Sequence, residues 1–173
     1  MAEAVRVSEV RVDGGDVVWS EGRPAEAGRT ALVRLRDGVR SDLLPPGLGA
    51  RTAVHGYGGG AWWVDGGIVW FSLWSDQRLY RLDPDCARAV ALTPEPAVPR
   101  GERYADGELA PDGASLLCVR ERHPFAGTRP ADVINEIVRL DAHSPSEPQV
   151  LVGGADFVSD PRTSPDGGRM CWV

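Results

Sequence analysis

Trp62-Trp63-Val64-Asp65-Gly66-Gly67-Ile68-Val69-Trp70-Phe71 is an apolar run, a two-glycine turn and a second apolar run. Asp-Gly suits a tight turn of the primed type, because glycine accepts positive φ and aspartate tolerates the left-handed region better than most residues. The flanking runs are β-branched and aromatic, and each is too short for a helix. The stretch reads as a β-hairpin.

The same signal recurs at Val12-Asp13-Gly14-Gly15, Pro111-Asp112-Gly113 and Pro165-Asp166-Gly167-Gly168, so that the four aspartates lie 52, 47 and 54 residues apart. An apolar run follows each turn, at 16–19, 68–71, 115–119 and 170–173. A third element repeats in the first three units. Ala31-Leu-Val-Arg-Leu-Arg36 places Ala31, Val33 and Leu35 on one face, and Arg78–Asp83 and Glu136–Asp141 end in the same Arg-Leu pair. A fourth apolar run comes at 39–44, 88–92 and 149–152. Four strands per unit at a period near ~50 residues mark the blades of a β-propeller, whereas a solenoid of β-arches has shorter repeats. The predicted fold is therefore all-β, a partial β-propeller of three four-stranded blades plus the start of a fourth. The blades fall at about 5–47, 51–94, 103–154 and 157–173. Propellers close with about four to eight blades, so the chain is expected to be part of a longer protein.

One segment admits two readings. Val133, Ile134, Ile137, Val138 and Leu140 fit a helical stripe capped by Asp132, yet the repeat alignment favours a strand starting near Val133. The Pro- and Gly-punctuated stretch 123–130 before it reads as a surface insertion.

Composition excludes several classes. Nineteen cations, all arginine, against 25 acids give a net charge of −6, which disfavours a nucleic-acid partner. The absence of lysine in an Ala-, Gly- and Pro-rich chain reflects GC-rich codons rather than function. The apolar runs are too short to span a membrane, and Arg6 and Glu9 interrupt any signal-peptide core. A cytoplasmic location without membrane contact is expected. Cys86, Cys118 and Cys171 lack metal spacing and are expected to be reduced, packed thiols.

Arg51-Thr-Ala-Val-His-Gly-Tyr-Gly-Gly-Gly-Ala-Trp62 resembles a propeller segment of the prolyl oligopeptidase family of serine peptidases, in particular its acylaminoacyl-peptidase and dipeptidyl-aminopeptidase-like branch. Ser75–Arg81, Arg103-Tyr-Ala-Asp-Gly107 before Pro111-Asp-Gly113, and Asp156–Arg162 before Ser164-Pro-Asp-Gly167 agree in order and spacing. The resemblance implies a propeller that caps an α/β-hydrolase domain and admits only short peptides. That hydrolase domain, expected as the partner, carries the catalytic triad. This chain has no G-x-S-x-G elbow, so no catalytic residue can be assigned in it. The resemblance assigns substrate gating to His55, Gly56, Tyr57, Arg103, Tyr104 and Asp106. The family usually has Glu where this chain has Gly56; a carboxylate there would hold a substrate's α-amino group, so the preference for a free amino terminus is expected to be weaker here or met by Glu102 or Asp106.

Other candidates have plainer accounts. Gly56–Ala61 satisfies G-x-G-x-x-A, but a strand rather than a helix follows, so no dinucleotide is expected. His55, His123 and His143 are 68 and 20 residues apart, without metal spacing, so neither metal nor other cofactor is expected. Asp83-Pro84-Asp85 reads as a solvated turn. The six tryptophans are expected to pack between blades rather than stack on substrate. Arg78, Glu102 and Arg103 are candidates for channel-facing groups or rim ion pairs. A non-catalytic scaffold, binding protein or glycan, is the alternative function.

Overall fold

The computed structural model describes residues 4–84 and 86–173; Asp85 of the predicted 83–85 turn lies outside them. The described chain is β-structure joined by turns and two 3-10 turns, Pro24–Glu26 and Pro130–Asp132. The first antiparallel sheet holds β1 (Arg6–Asp13), β2 (Asp16–Arg23), β3 (Arg29–Arg36) and β4 (Val39–Asp42) in that order. The second holds β5 (Trp62–Asp65), β6 (Ile68–Ser72), β7 (Leu79–Leu82) and β8 (Val90–Ala91). The third holds β9 (Glu102–Leu109), β10 (Ser115–Arg122), β11 (Ile134–Asp141) and β12 (Gln149–Ala155). A two-stranded sheet of β13 (Arg162–Thr163) and β14 (Met170–Cys171) follows. The segment with two readings is a strand. No helix among the described residues is long and apolar enough to cross a membrane.

Each sheet is a blade, and the core lies between blades. Val18 and Leu32 of the first pack on Trp62 and Phe71 of the second. Trp63, Trp70 and Leu79 of the second meet Tyr104, Leu116 and Val138 of the third. Val119 and Ile137 then pack against Val158. The alternation expected of β3 gives way to continuous burial over Ala31, Leu32 and Val33, of which Leu32 joins the core against the second blade, while Leu35 is exposed. Of the three thiols only Cys118 is packed, where burial pushes it up to about 12; Cys86 and Cys171 are exposed, contrary to expectation. Trp62, Trp63 and Trp70 fill the inter-blade core as expected, whereas Trp74 and Trp172 are exposed because they lie just beyond strand ends.

The aspartates of the turns do more than reverse the chain. Asp13 accepts hydrogen bonds from the Gly66 and Gly67 amides of the next blade's turn, at 2.9 and 2.6 Å. Asp112 accepts the amides of Ala114 and Ser115, and Asp141 those of His143 and Ser144. These amides hold the Asp112 and Asp141 carboxyls below their ordinary range, as the Ser164 hydroxyl and Gly168 amide do for Asp166. A depressed carboxylate stabilises the fold above its unfolded pKa and loses that contribution as pH falls through its folded value. Glu9, which burial pushes up, works in the opposite direction. The thermal midpoint should therefore fall as pH is lowered from about 5 to about 3, and a midpoint flat across that range contradicts the turn network.

Gly107 sets the approach of the second and third blades. A Cβ on it would lie 2.1 Å from the Trp63 ring, so the indole occupies the space a side chain would need. Gly107→Ala should cost about 1–3 kcal/mol through overpacking, read as a lower urea midpoint at unchanged slope.

Candidate functional site

The connection from the first to the second blade, residues 43–61, crosses one end of the blade stack. Its root is clamped by Gln77, a fully buried side chain in the turn after β6. The Gln77 Oε1 accepts the Ala53 amide at 2.7 Å, and its Nε2 donates to the carbonyls of Trp74 at 3.1 Å and Arg51 at 3.5 Å. Beyond the clamp the Gly56 amide donates to Ala53 and the Gly58 amide to Val54, closing a tight loop. His55 and Gly56 both have left-handed backbones, with φ of 56° and 79°. Gly56 faces open space, so a glutamate would fit there sterically but would pay about 1–3 kcal/mol of backbone strain.

Glu121, buried near the end of β10, organises the loop. Its Oε2 accepts the His55 amide at 2.7 Å, and its Oε1 accepts Arg103 Nη1 at 2.9 Å and His123 Nε2 at 2.7 Å. Arg103 Nη1 also donates to the Ala53 carbonyl at 3.0 Å. A carboxylate among charged and backbone donors is the strong form of hydrogen bonding, and one side chain of the third blade thus fixes a loop of the second. The His55 ring stacks on Phe157 with centroids 3.9 Å apart, and its Nε2–H points at the Val158 carbonyl, 3.2 Å away. Tyr57, 77% exposed, projects beside it.

Asp106 closes the other side. Its amide donates to the Gly60 carbonyl at 2.8 Å, and its Oδ2 accepts the Asp160 amide at 3.3 Å. Burial raises the Glu9 carboxyl of β1, and the negative charge of Asp106 adds to the rise against the opposing charge of Arg11. The structure thus gathers His55, Gly56, Tyr57, Arg103 and Asp106 around one loop. Tyr104 is elsewhere. Its ring is buried between the second and third blades, its hydroxyl donates to Glu102 at 2.7 Å, and burial pushes the phenol far above its usual range. Glu102 is engaged by that hydroxyl and lies 3.6 Å from Arg120. Arg78 donates to the Thr93 carbonyl. Among the described residues no group of three or more His, Cys, Asp or Glu side chains is placed to hold a metal ion.

Glu121, Gln77 and Phe157 were not singled out by sequence. Glu121 sits between two arginines at the end of an apolar run, where it reads as a solvated strand end.

No protein-family model matches the chain, and no curated protein matches it. Among solved structures, a puromycin-hydrolyzing peptidase from Mycobacterium tuberculosis is 40% identical over 97% of the chain, with a TM-score of 0.89. A puromycin hydrolase is 34% identical over 99% of it, with a TM-score of 0.86. The chain spans only 27% and 28% of those two proteins. TolB from Acinetobacter baumannii overlies 98% of the chain, which covers 38% of it, at a TM-score of 0.60 and 15% identity; this shows likeness of fold alone.

Glu121→Gln keeps the shape and removes the charge, leaving Arg103 without its carboxylate. A loss of about 1–3 kcal/mol is expected, together with faster exchange of the His55 amide. Unchanged exchange at His55 would show that the loop is held by something other than Glu121.

Proposed function

Because the chain belongs to the propeller of the prolyl oligopeptidase family, we propose that it is the substrate-gating part of a serine peptidase that cleaves short peptides. The carrying observation is 34–40% identity over nearly the whole chain to proteins described as hydrolysing puromycin. The loop of His55, Gly56 and Tyr57 supports the reading, since it exposes an aromatic side chain on a root fixed by Gln77, Glu121 and Arg103. A gate of this kind selects by size and by the polar groups it shows, while the chemistry belongs to a hydrolase domain.

The amine-binding role that the family resemblance gives to the position of Gly56 cannot be filled by a hydrogen atom. Asp106 is the better substitute of the two acids, because Glu102 is taken up by Tyr104 whereas Asp106 holds a single long bond from Asp160. A peptidase with this propeller therefore prefers a free amino terminus only weakly.

Two measurements test the function. The 173-residue chain by itself should not hydrolyse puromycin or aminoacyl chromogenic substrates, since it lacks an activated nucleophile with a base. Steady turnover that survives repurification would overturn the reading. In the whole peptidase carrying this propeller, Gly56→Glu should shift kcat/KM toward the free-amine form of a substrate over its amino-blocked form by about tenfold. An unchanged ratio removes the amine-binding role.

A further inference from the structure

The indole of Trp74, 39% exposed, has two guanidiniums against it. The Cζ atoms of Arg51 and Arg100 lie 4.2 and 4.5 Å from its ring centre. Three chain segments hold this stack from the backbone. Gln77 binds the carbonyls of both Arg51 and Trp74, the Trp74 amide donates to Gly49, and Arg100 Nη1 donates to the Trp74 carbonyl at 2.8 Å.

Among the described residues twelve of the 19 arginines meet carboxylates, as Arg23 does with Asp42, Arg36 with Asp16 and Arg120 with Glu136. Arg51 and Arg100 do not: among the described residues neither has a carboxylate within ion-pairing distance, and each has the indole instead. Stacking on an aromatic face offsets part of the repulsion between two cations, and apart from the Arg100 Nη1 bond to the Trp74 carbonyl it leaves their in-plane N–H groups open to a ligand. Cavities open on either flank. One of about 320 Å³ is lined by Arg29, Arg51 and Trp74, and one of about 610 Å³ by Arg100, Arg103, His123 and Phe125. In the larger cavity Arg103 Nε is buried without a hydrogen-bond partner.

We propose that the Arg51–Trp74–Arg100 stack binds the carboxylate of a peptide. A carboxylate takes guanidinium N–H groups in their plane, so it can bind without displacing either cation from the indole. Asp76 in the same turn and Glu26 at the smaller cavity disfavour a more highly charged anion such as phosphate. The larger cavity exceeds what a free small acid fills. Its Val98, Pro99 and Phe125 walls suit a peptide side chain beside the carboxylate. The site adjoins the Glu121 cluster, since Arg103 and His123 line its larger cavity and both bond to Glu121, and both sites use the loop at 51–61.

The full chain is titrated at constant ionic strength with an N-acetyl dipeptide acid, with the same dipeptide as its amide, and with sodium acetate. The readout is the Trp74 Nε1–H resonance, identified by its loss in Trp74→Phe. The dipeptide acid should shift this signal saturably, the amide should not, and acetate should bind at least about tenfold more weakly. Arg51→Gln and Arg100→Gln should each weaken the dipeptide acid about tenfold, the size expected on losing a hydrogen bond to a charged group. The other five indole signals should hold their places and report an intact fold. Absence of a saturable shift, an equal shift with the amide, or unchanged binding in both variants overturns the site. Acetate binding as tightly as the dipeptide overturns the assignment to a peptide. The measurement needs no turnover, so its result is independent of the gating role.

Discussion

A blade of this chain cannot be stable by itself, because both faces of its sheet are apolar and each must be covered by a neighbour. Everything else follows from that constraint. The residues that decide the geometry are those where two blades touch. Trp63 filling the space that Gly107 leaves, and Trp70 donating its indole N–H to the Ala142 carbonyl of the next blade, are the clearest instances. Polar links tie the blades at their ends as well. Asp13 reaches the turn of the second blade, and Glu108 of the third blade accepts the Thr163 amide of the fourth sheet.

The same constraint explains why the loops carry the site. With both faces of a blade committed to packing, side chains free to meet a ligand remain only at strand ends and in connections. The connection at 43–61 uses this freedom, and its conformation is imposed from outside by Gln77 in its own blade and Glu121 in the next. A loop with so many glycines would otherwise sample many shapes. Ordering it through two buried polar side chains gives one defined presentation of His55 and Tyr57.

How far this was legible in the sequence depends on the range of each interaction. The Asp-Gly turns and the runs beside them are local signals, so the number and order of strands could be read directly, and the strand at Ile134–Asp141 could be separated from a helix only by the repeat. Glu121 could not be read, since its partner His55 lies 66 residues away and no local pattern distinguishes a buried hub from a solvated charge. Tyr104 and Arg103 are a different case. They are adjacent in a strand and so point to opposite faces, and only one of the two can look toward the loop. The family resemblance brought both forward together, while the pleat sends Arg103 to Glu121 and Tyr104 into the core.

The ion pairs of the blades have a chemical uniformity. Apart from histidine, every cation in them is a guanidinium, because the chain has no lysine. An ammonium discharges near pH 10 to 11, whereas a guanidinium keeps its charge throughout the range in which proteins are handled. The bonds of Arg23 to Asp42, Arg36 to Asp16 and Arg120 to Glu136 therefore have no alkaline limit of their own. The electrostatic framework of this propeller is thus open to attack by acid and closed to attack by alkali.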